Sequence, residues 1–227
     1  MTTHHPGRTA ADELSIQHSA SDDVGVERAP AMSTEASTTA SLIADPAPLG
    51  LAAFAMTTFV LSCFNAGFID VKLEAVVLPL ALFYGGLAQF LAGMWEFRKG
   101  NTFGALAFTS FGSFWLSFAA FVKFVAPQLP AASAHQAVGL YLLAWTIFTA
   151  YMTIASMRVS RVVLSVFAVL TLTFAALSIG EFASSTGMAK LGGLLGLVTA
   201  ALAWYGSFAG VTNSTFRRSV IPTWPST

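Results

Sequence analysis

The chain has 227 residues, of which 55% are hydrophobic and only 10% charged, well below the ~25% charge of a soluble domain. Eleven basic residues balance eleven acidic ones, so bulk charge gives no reason to expect a nucleic-acid partner. The single cysteine, Cys63, excludes an intrachain disulfide and any cysteine-cluster metal site; in an apolar run it reads as a small buried packing residue.

Residues 1–44 come first, rich in Ser, Thr and Ala, with Asp12, Glu13, Asp22, Asp23, Glu27 and Glu35 against only Arg8 and Arg28. With no apolar periodicity to offset its ordering entropy, this stretch is expected to be a disordered tail. It lacks the basic-then-apolar layout of a signal peptide, and the pair His4–His5 is too short for a metal site. Six runs without Asp, Glu, Lys, Arg or His then follow, at 49–68, 75–95, 102–122, 137–157, 162–180 and 191–211. Each has about the 20 residues that a helix needs to cross a hydrocarbon core roughly 30 Å thick. The expected fold is an all-α membrane protein of six transmembrane helices, with residues 45–221 as the membrane domain and 222–227 as a C-terminal tail.

Short connections favour antiparallel neighbours. Arg98, Lys99, Arg158, Arg161, Arg217 and Arg218 fall on one side, against Lys72, Lys123 and Lys190 on the other. The positive-inside rule then puts both termini in the cytoplasm, as expected for a multi-pass protein of the plasma (cell inner) membrane. Trp95, Trp115, Trp145 and Trp204 fall at varied depths; Trp95 and Trp204 are candidate interface anchors or ordinary packing aromatics.

Polar residues inside the spans are the informative minority. Phe54, Thr58, Ser62 and Asn65 fall at i, i+4, i+8 and i+11 on one face of the first span. Ser110, Ser113 and Ser117 share a face of the third, and Thr146, Thr149, Thr153 and Ser156 a face of the fourth. Two readings stand. Such hydroxyls bond their own preceding carbonyls or glue helices together, or they line a path that meets water, since polar groups in hydrocarbon are costly. Three stripes in one small bundle favour a hydroxyl-lined path. In the last span Gly192, Gly196, Ala200, Ala203, Ser207 and Gly210 form a small-residue stripe that allows close helix packing, subunit contacts included. Gly85, Gly86 and Gly93 read similarly in the second, where Pro79 is expected to kink the helix.

Ahead of the first span, Asp45 is a good N-cap and Pro46 suits a first helical turn. The heptad Asp45-Pro46-Ala47-Pro48-Leu49-Gly50-Leu51 also closely resembles the Asn-Pro-Ala-Pro-Leu-Gly-Leu signature of the acetate uptake transporter family, the succinate–acetate permeases. Phe83-Tyr84-Gly85-Gly86-Leu87-Ala88-Gln89 resembles that family's second-helix motif. Lys99-Gly100-Asn101-Thr102-Phe103-Gly104, with Ala107-Phe108-Thr109-Ser110-Phe111-Gly112-Ser113-Phe114-Trp115, resembles the start of its third helix. The resemblance covers residues 45–221. It implies six helices per subunit, a homo-hexamer with a pore in each subunit, and passage of acetate and often succinate by proton-linked or channel-like uptake. It also implies an apolar constriction, carried over onto Phe54, Phe111 and Leu170. Thr58, Ser62, Asn65, Tyr84, Gln89, Ser110 and Ser113 are the residues expected along the substrate path. Two positions depart from the family: Asp45 replaces Asn, and Phe111 replaces a Tyr, removing a hydroxyl from the narrowest point.

No charge-free run contains a carboxylate, His or base, so a buried proton relay of the kind found in pumps is not expected. A small carboxylic acid with a pKa near 4.3 is neutral in about one molecule in 500 at pH 7. Driving a bare carboxylate past phenyl rings costs several kcal/mol. Either the anion keeps water and leans on groups such as Thr58, Asn65 and Gln89, or the neutral acid passes with its own proton. Two other classes stay open: a pore for small neutral or weakly basic solutes such as urea or ammonia, and a membrane sensor whose acidic tail signals. An enzyme is not expected, because the spans supply no general base; Asp70, Glu96 and Glu181 sit at span ends, where solvated caps belong. No cofactor or metal is implied, and the lipid bilayer and a small carboxylate are the expected partners.

Overall fold

The computed structural model describes residues 1–2 and 43–225; the expected disordered tail lies almost wholly outside them. Six helices are long and apolar enough to cross a membrane: α1 Ala47–Asn65, α2 Val71–Lys99, α3 Thr102–Gln128, α4 Ala134–Ser156, α5 Arg161–Phe182 and α6 Thr186–Phe216. The protein is a multi-pass all-α membrane protein, with no strand among the described residues beyond an isolated Ser160–Pro225 bridge. Each helix covers its charge-free run except near its ends. The clearest extensions are α2, which exceeds 75–95 at both ends, and α6, which exceeds 191–211. Helices continue past the hydrocarbon-length core that a charge-free run marks.

The ends follow local chemistry. Asp70 opens α2 by accepting the Lys72 N–H at 3.0 Å, the solvated-cap role expected of it. Gly100 ends α2 at φ +79°, a left-handed conformation that suits glycine. Asn101 opens α3 by accepting the Gly104 N–H at 3.1 Å. Ser160 and Ser185 cap α5 and α6 through the N–H groups of Val163 and Met188.

At Pro79, where a kink is expected, α2 departs from a regular α-helix. α2 runs as a 3₁₀ turn over Val71–Val76, a short α segment over Val77–Leu80, an eight-residue π segment over Ala81–Ala88 and an α segment over Gln89–Lys99. Pro79 has no N–H to return to the preceding turn, and the helix widens two residues later. Buried positions recur every four residues at Val77, Ala81, Gly85, Gln89 and Gly93, a spacing that mixed α and π turns keep on one face.

Helix contacts run α3–α2–α1–α6–α5–α4, with α4 touching α3 only lightly. Glycines bring these neighbours together. A Cβ on Gly85 would meet Thr57 Oγ1 of α1 at 2.5 Å, and one on Gly112 would meet the Phe90 nitrogen of α2 at 2.6 Å. The small-residue stripe of α6 faces within the subunit: Gly193 and Gly196 lie against Asn65–Ala66 and Ser62 of α1, Gly192 against Leu177 of α5, and Gly210 against Pro48. After α6, Asn213 holds the turn through Val220 and Ile221 N–H groups at 2.7 and 2.9 Å, and the Tyr205 hydroxyl donates to Pro222 O at 2.7 Å. The Arg161 N–H reaches Trp224 O at 3.0 Å, so this part of the expected C-terminal tail is tied to the bundle.

Candidate functional site

The signature heptad sets the position of α1. Pro46 takes the N-cap place and the helix begins at Ala47, one residue later than an Asp45 N-cap implies. Asp45 still acts as a cap, because its Oδ1 accepts the Ala47 N–H at 3.1 Å. The same oxygen receives Lys99 Nζ at 2.8 Å, joining the start of α1 to the end of α2. Pro48 O accepts the Ser207 hydroxyl at 2.6 Å, fixing α1 to α6. Gly50 is buried where a Cβ would meet the Phe108 ring at 2.6 Å, while Leu49 is exposed. With α1 so fixed, Leu51, Phe54, Thr58, Ser62 and Asn65 all face inward.

What they face is a cavity of about 170 Å³, roughly ten times what one water needs. α1 contributes Phe54, Thr58, Leu61, Ser62 and Asn65; α3 contributes Phe114, Trp115, Phe118 and Phe121; α4 contributes Val138, Tyr141 and Leu142. α5 adds Leu170, Thr173, Phe174, Leu177 and Glu181, and α2 adds Glu74. A second cavity of about 20 Å³, room for about one water, is lined by Leu51, Phe54, Gln89, Ala107, Phe108, Phe111, Val166, Phe167 and Leu170. Phe54 and Leu170 belong to both linings. Both are nearly sealed from outside, at 4% and 3% exposure. The Phe54 ring lies 5.6 Å from that of Phe111. The three residues carried over as a constriction all line the small cavity, and two of them also line the large one.

The polar candidates divide. Thr58, Ser62 and Asn65 line the large cavity and Gln89 the small one. Thr58 Oγ1 and Gln89 Oε1 are buried without a hydrogen-bond partner among the described residues. Tyr84, Ser110 and Ser113 line neither cavity. The Ser113 hydroxyl donates instead to Thr109 O at 2.8 Å, and Ser117 donates to Phe114 O at 2.9 Å. On α4, Thr146, Thr149, Thr153 and Ser156 donate to the carbonyls of Leu142, Trp145, Thr149 and Thr153. Thr153 also reaches Thr171 of α5 at 2.9 Å. Of the three expected hydroxyl stripes, that of α1 lines the large cavity, while Ser113 and Ser117 of α3 and all four hydroxyls of α4 close on their own backbone.

Four lining residues with polar groups, Glu74, Trp115, Tyr141 and Thr173, are not marked as site residues by the sequence. Trp115 is 2% exposed and its Nε1 has no partner. Tyr141 OH lies 2.7 Å from Ser117 Oγ. Two expected solvated caps are placed otherwise. Glu181 lines the large cavity. Glu96 is fully buried, with Oε2 accepting Asn101 Nδ2 at 2.9 Å and Oε1 unpartnered. Gly100 and Gly104 let the turn fold tightly enough to cover it; a Cβ on Gly104 would lie 2.9 Å from the Glu96 carboxyl carbon.

The Asp45–Lys99 pair invites a direct test. Its side chains are 46% and 33% exposed, and such pairs contribute about 0–1 kcal/mol. Asp45→Asn keeps an acceptor for the Ala47 N–H, so the expected loss of stability stays below about 1 kcal/mol. Thermal unfolding in detergent measures it; a larger loss would mean that the pair does more than join two exposed ends.

Comparison with known proteins follows the same lines. Residues 29–225 match the GPR1/FUN34/yaaH family. Over 173 residues the chain is 48% identical to accumulation of dyads protein 2 of Saccharomyces cerevisiae. It is 43% identical to that yeast's ammonia transport outward protein 2. These alignments take in 74% of this chain and span 61% of each yeast protein's length. With the succinate-acetate/proton symporter SatP of Escherichia coli K12 it shares 42% identity over 180 residues, covering 79% of this chain and 95% of SatP. The solved structure of the bacterial acetate channel SatP superposes with a TM-score of 0.75 at 41% identity, covering 80% of this chain and 99% of that one. The three motifs thus pointed correctly: the chain belongs to the GPR1/FUN34/yaaH family.

Proposed function

We propose that the protein moves acetate, and succinate to a lesser degree, across the plasma membrane, as a channel or proton-linked transporter. The observation that carries this reading is a pair of inward cavities with Phe54 and Leu170 in both walls and the Phe111 ring beside that of Phe54. A small carboxylic acid fits the larger cavity, finds hydroxyl and amide partners in Thr58, Ser62 and Asn65, and meets Gln89 beyond the rings. The names of SatP and of acetate permease A from Emericella nidulans, 40% identical over 194 residues, support the substrate class. Family members named as transporters and channels support a non-enzymatic role. Both termini face the cytoplasm in this reading, because Arg98, Lys99, Arg158, Arg161, Arg217 and Arg218 gather at that end.

Uptake of labelled acetate by proteoliposomes tests the proposal. Saturable uptake is expected, with larger monocarboxylates competing less well. Protein that moved urea or ammonium and left acetate outside would sink it. That second reading, a pore for small neutral or weakly basic solutes, is favoured by the absence of any Lys, Arg or His from either lining and by the name of one yeast relative. The subunits form a homo-hexamer, each with its own path; the number comes from the family resemblance. Mass measurement in detergent should find the ring, and monomer alone at every concentration would count against it.

A further inference from the structure

Two carboxylates, Glu74 at the start of α2 and Glu181 at the end of α5, stand in the wall of the large cavity. This end of the bundle is opposite the signature heptad, the side that charge bias assigns to the outside. Both are half-buried, and neither makes a hydrogen bond or ion pair among the described residues. Among the described residues the cavity wall holds no Lys, Arg or His. The charged and titratable groups nearby are His135 on the first turn of α4, which interacts electrostatically with Glu181, and Tyr141, which shares the wall. Asp70 and Lys72 are on Glu74's own turn, Lys123 is at the end of α3, and Lys190 packs against Gly67; these four lie outside the lining. An independent feature points to a ligand in the same space. Thr58 and Trp115 are 6% and 2% exposed, form part of the wall, and hold Oγ1 and Nε1 without a partner. The indole N–H can only donate.

We propose that this cavity admits small carboxylic acids in their protonated form, with Glu74 and Glu181 as a charge filter and Trp115 and Thr58 as donors to the acid's carbonyl oxygen. The inference rests on the acetate reading above. An ionised Glu repels a carboxylate anion yet accepts a short, charge-assisted hydrogen bond from a carboxylic O–H. The neutral form of an acid with pKa near 4.3 rises from about one molecule in 500 at pH 7 to about one in six at pH 5. The filter therefore sharpens acid stimulation of uptake without any relay inside the bundle.

The test compares uptake of labelled acetate at pH 5 and pH 7 by reconstituted parent and the double variant Glu74→Gln/Glu181→Gln, beside thermal unfolding of each. The variant should raise uptake at pH 7 by about threefold or more and lower the pH 5 to pH 7 ratio, because the abundant anion is no longer turned away. Glu181→Asp, which keeps the charge, should hold the parent's ratio. Trp115→Phe should raise KM for acetate about five- to tenfold at both pH values, the loss of one hydrogen bond. A ratio unchanged in the double variant, or lower uptake at pH 7, overturns the filter. So does a selective loss of methylammonium uptake with the acetate profile kept, which would make the pair a cation site. If the double variant does not fold, the two single Gln variants answer by the same ratio. A parent that takes up no acetate at either pH refutes the functional reading instead.

Discussion

Leu170→Ala should let succinate through at rates approaching those of acetate. Leu170 and Phe54 are the two side chains shared by the cavities of about 170 and 20 Å³, so shortening either merges them. Leu170→Ala removes the wall on the α5 side, and Phe54→Ala removes the ring that faces Phe111 at 5.6 Å. The measurement is uptake of labelled succinate relative to acetate, together with competition by longer monocarboxylates. Both variants also lose packing, since burying less Leu or Phe costs about 2–5 kcal/mol; expression and thermal unfolding must accompany the transport data. Phe111→Tyr is the complementary change. Phe111 sits among the rings of Phe54, Trp145, Phe148, Phe167 and Phe174, where an unpaired hydroxyl would cost about 1–3 kcal/mol. Yet the same small cavity holds Gln89 with its Oε1 unpartnered. The added hydroxyl enters a wall that holds this free acceptor, and acetate affinity should shift only modestly, by about 0.5–1.5 kcal/mol. Folded variants whose substrate profile matched the parent's would make all three residues ordinary core.

The six helices were legible because absence of charge over about 20 residues is a strong signal that tertiary context rarely imitates. The face of α1 was legible for a related reason: Thr58, Ser62 and Asn65 share it with a phenylalanine, and the structure turns all four to the cavity. The stripes of α3 and α4 have the same periodicity and a different fate. Periodicity reports which residues share a face; it does not report whether a hydroxyl points outward or folds back on the carbonyl one turn earlier, as Ser113 and Thr149 do. Glu96 escaped for a longer-range reason. Its burial depends on a left-handed Gly100, on Asn101 turning to its carboxylate and on the missing side chain of Gly104, three features that only the folded turn combines. Glu74 and Glu181 belong to α2 and α5, three steps apart along the order of helix contacts, and nothing in either local sequence announces that they share a cavity. Trp115 and Tyr141 were hidden among twenty phenylalanines and other aromatics, where an indole N–H or a phenolic hydroxyl is indistinguishable from packing.

The α6 glycines should show a graded loss of stability set by what each faces rather than by helix propensity. In a helix interior, Gly→Ala normally gains about 1 kcal/mol. At Gly187 a Cβ meets only Ser185 Oγ at 3.8 Å, so Gly187→Ala should be neutral or stabilising. At Gly196 the obstacle is the Ser62 side chain, with its Cβ at 3.1 Å; the hydroxyl can turn away, but Ser62 lines the cavity, so Gly196→Ala should cost little stability and alter uptake. At Gly193 the obstacle is backbone, with Asn65 C at 2.6 Å and Ala66 Cα at 2.8 Å. Backbone cannot rotate aside, and α1 must separate from α6 there. Overpacking commonly costs about 1–3 kcal/mol, and Gly193→Ala should reach the top of that range. Gly196→Leu should abolish folding or assembly outright, because its added carbons enter the space already held by Ser62 and Thr173. Thermal unfolding in detergent and the yield of folded protein measure the series. Equal losses at Gly187, Gly193 and Gly196 would refute contact with α1 as the cause.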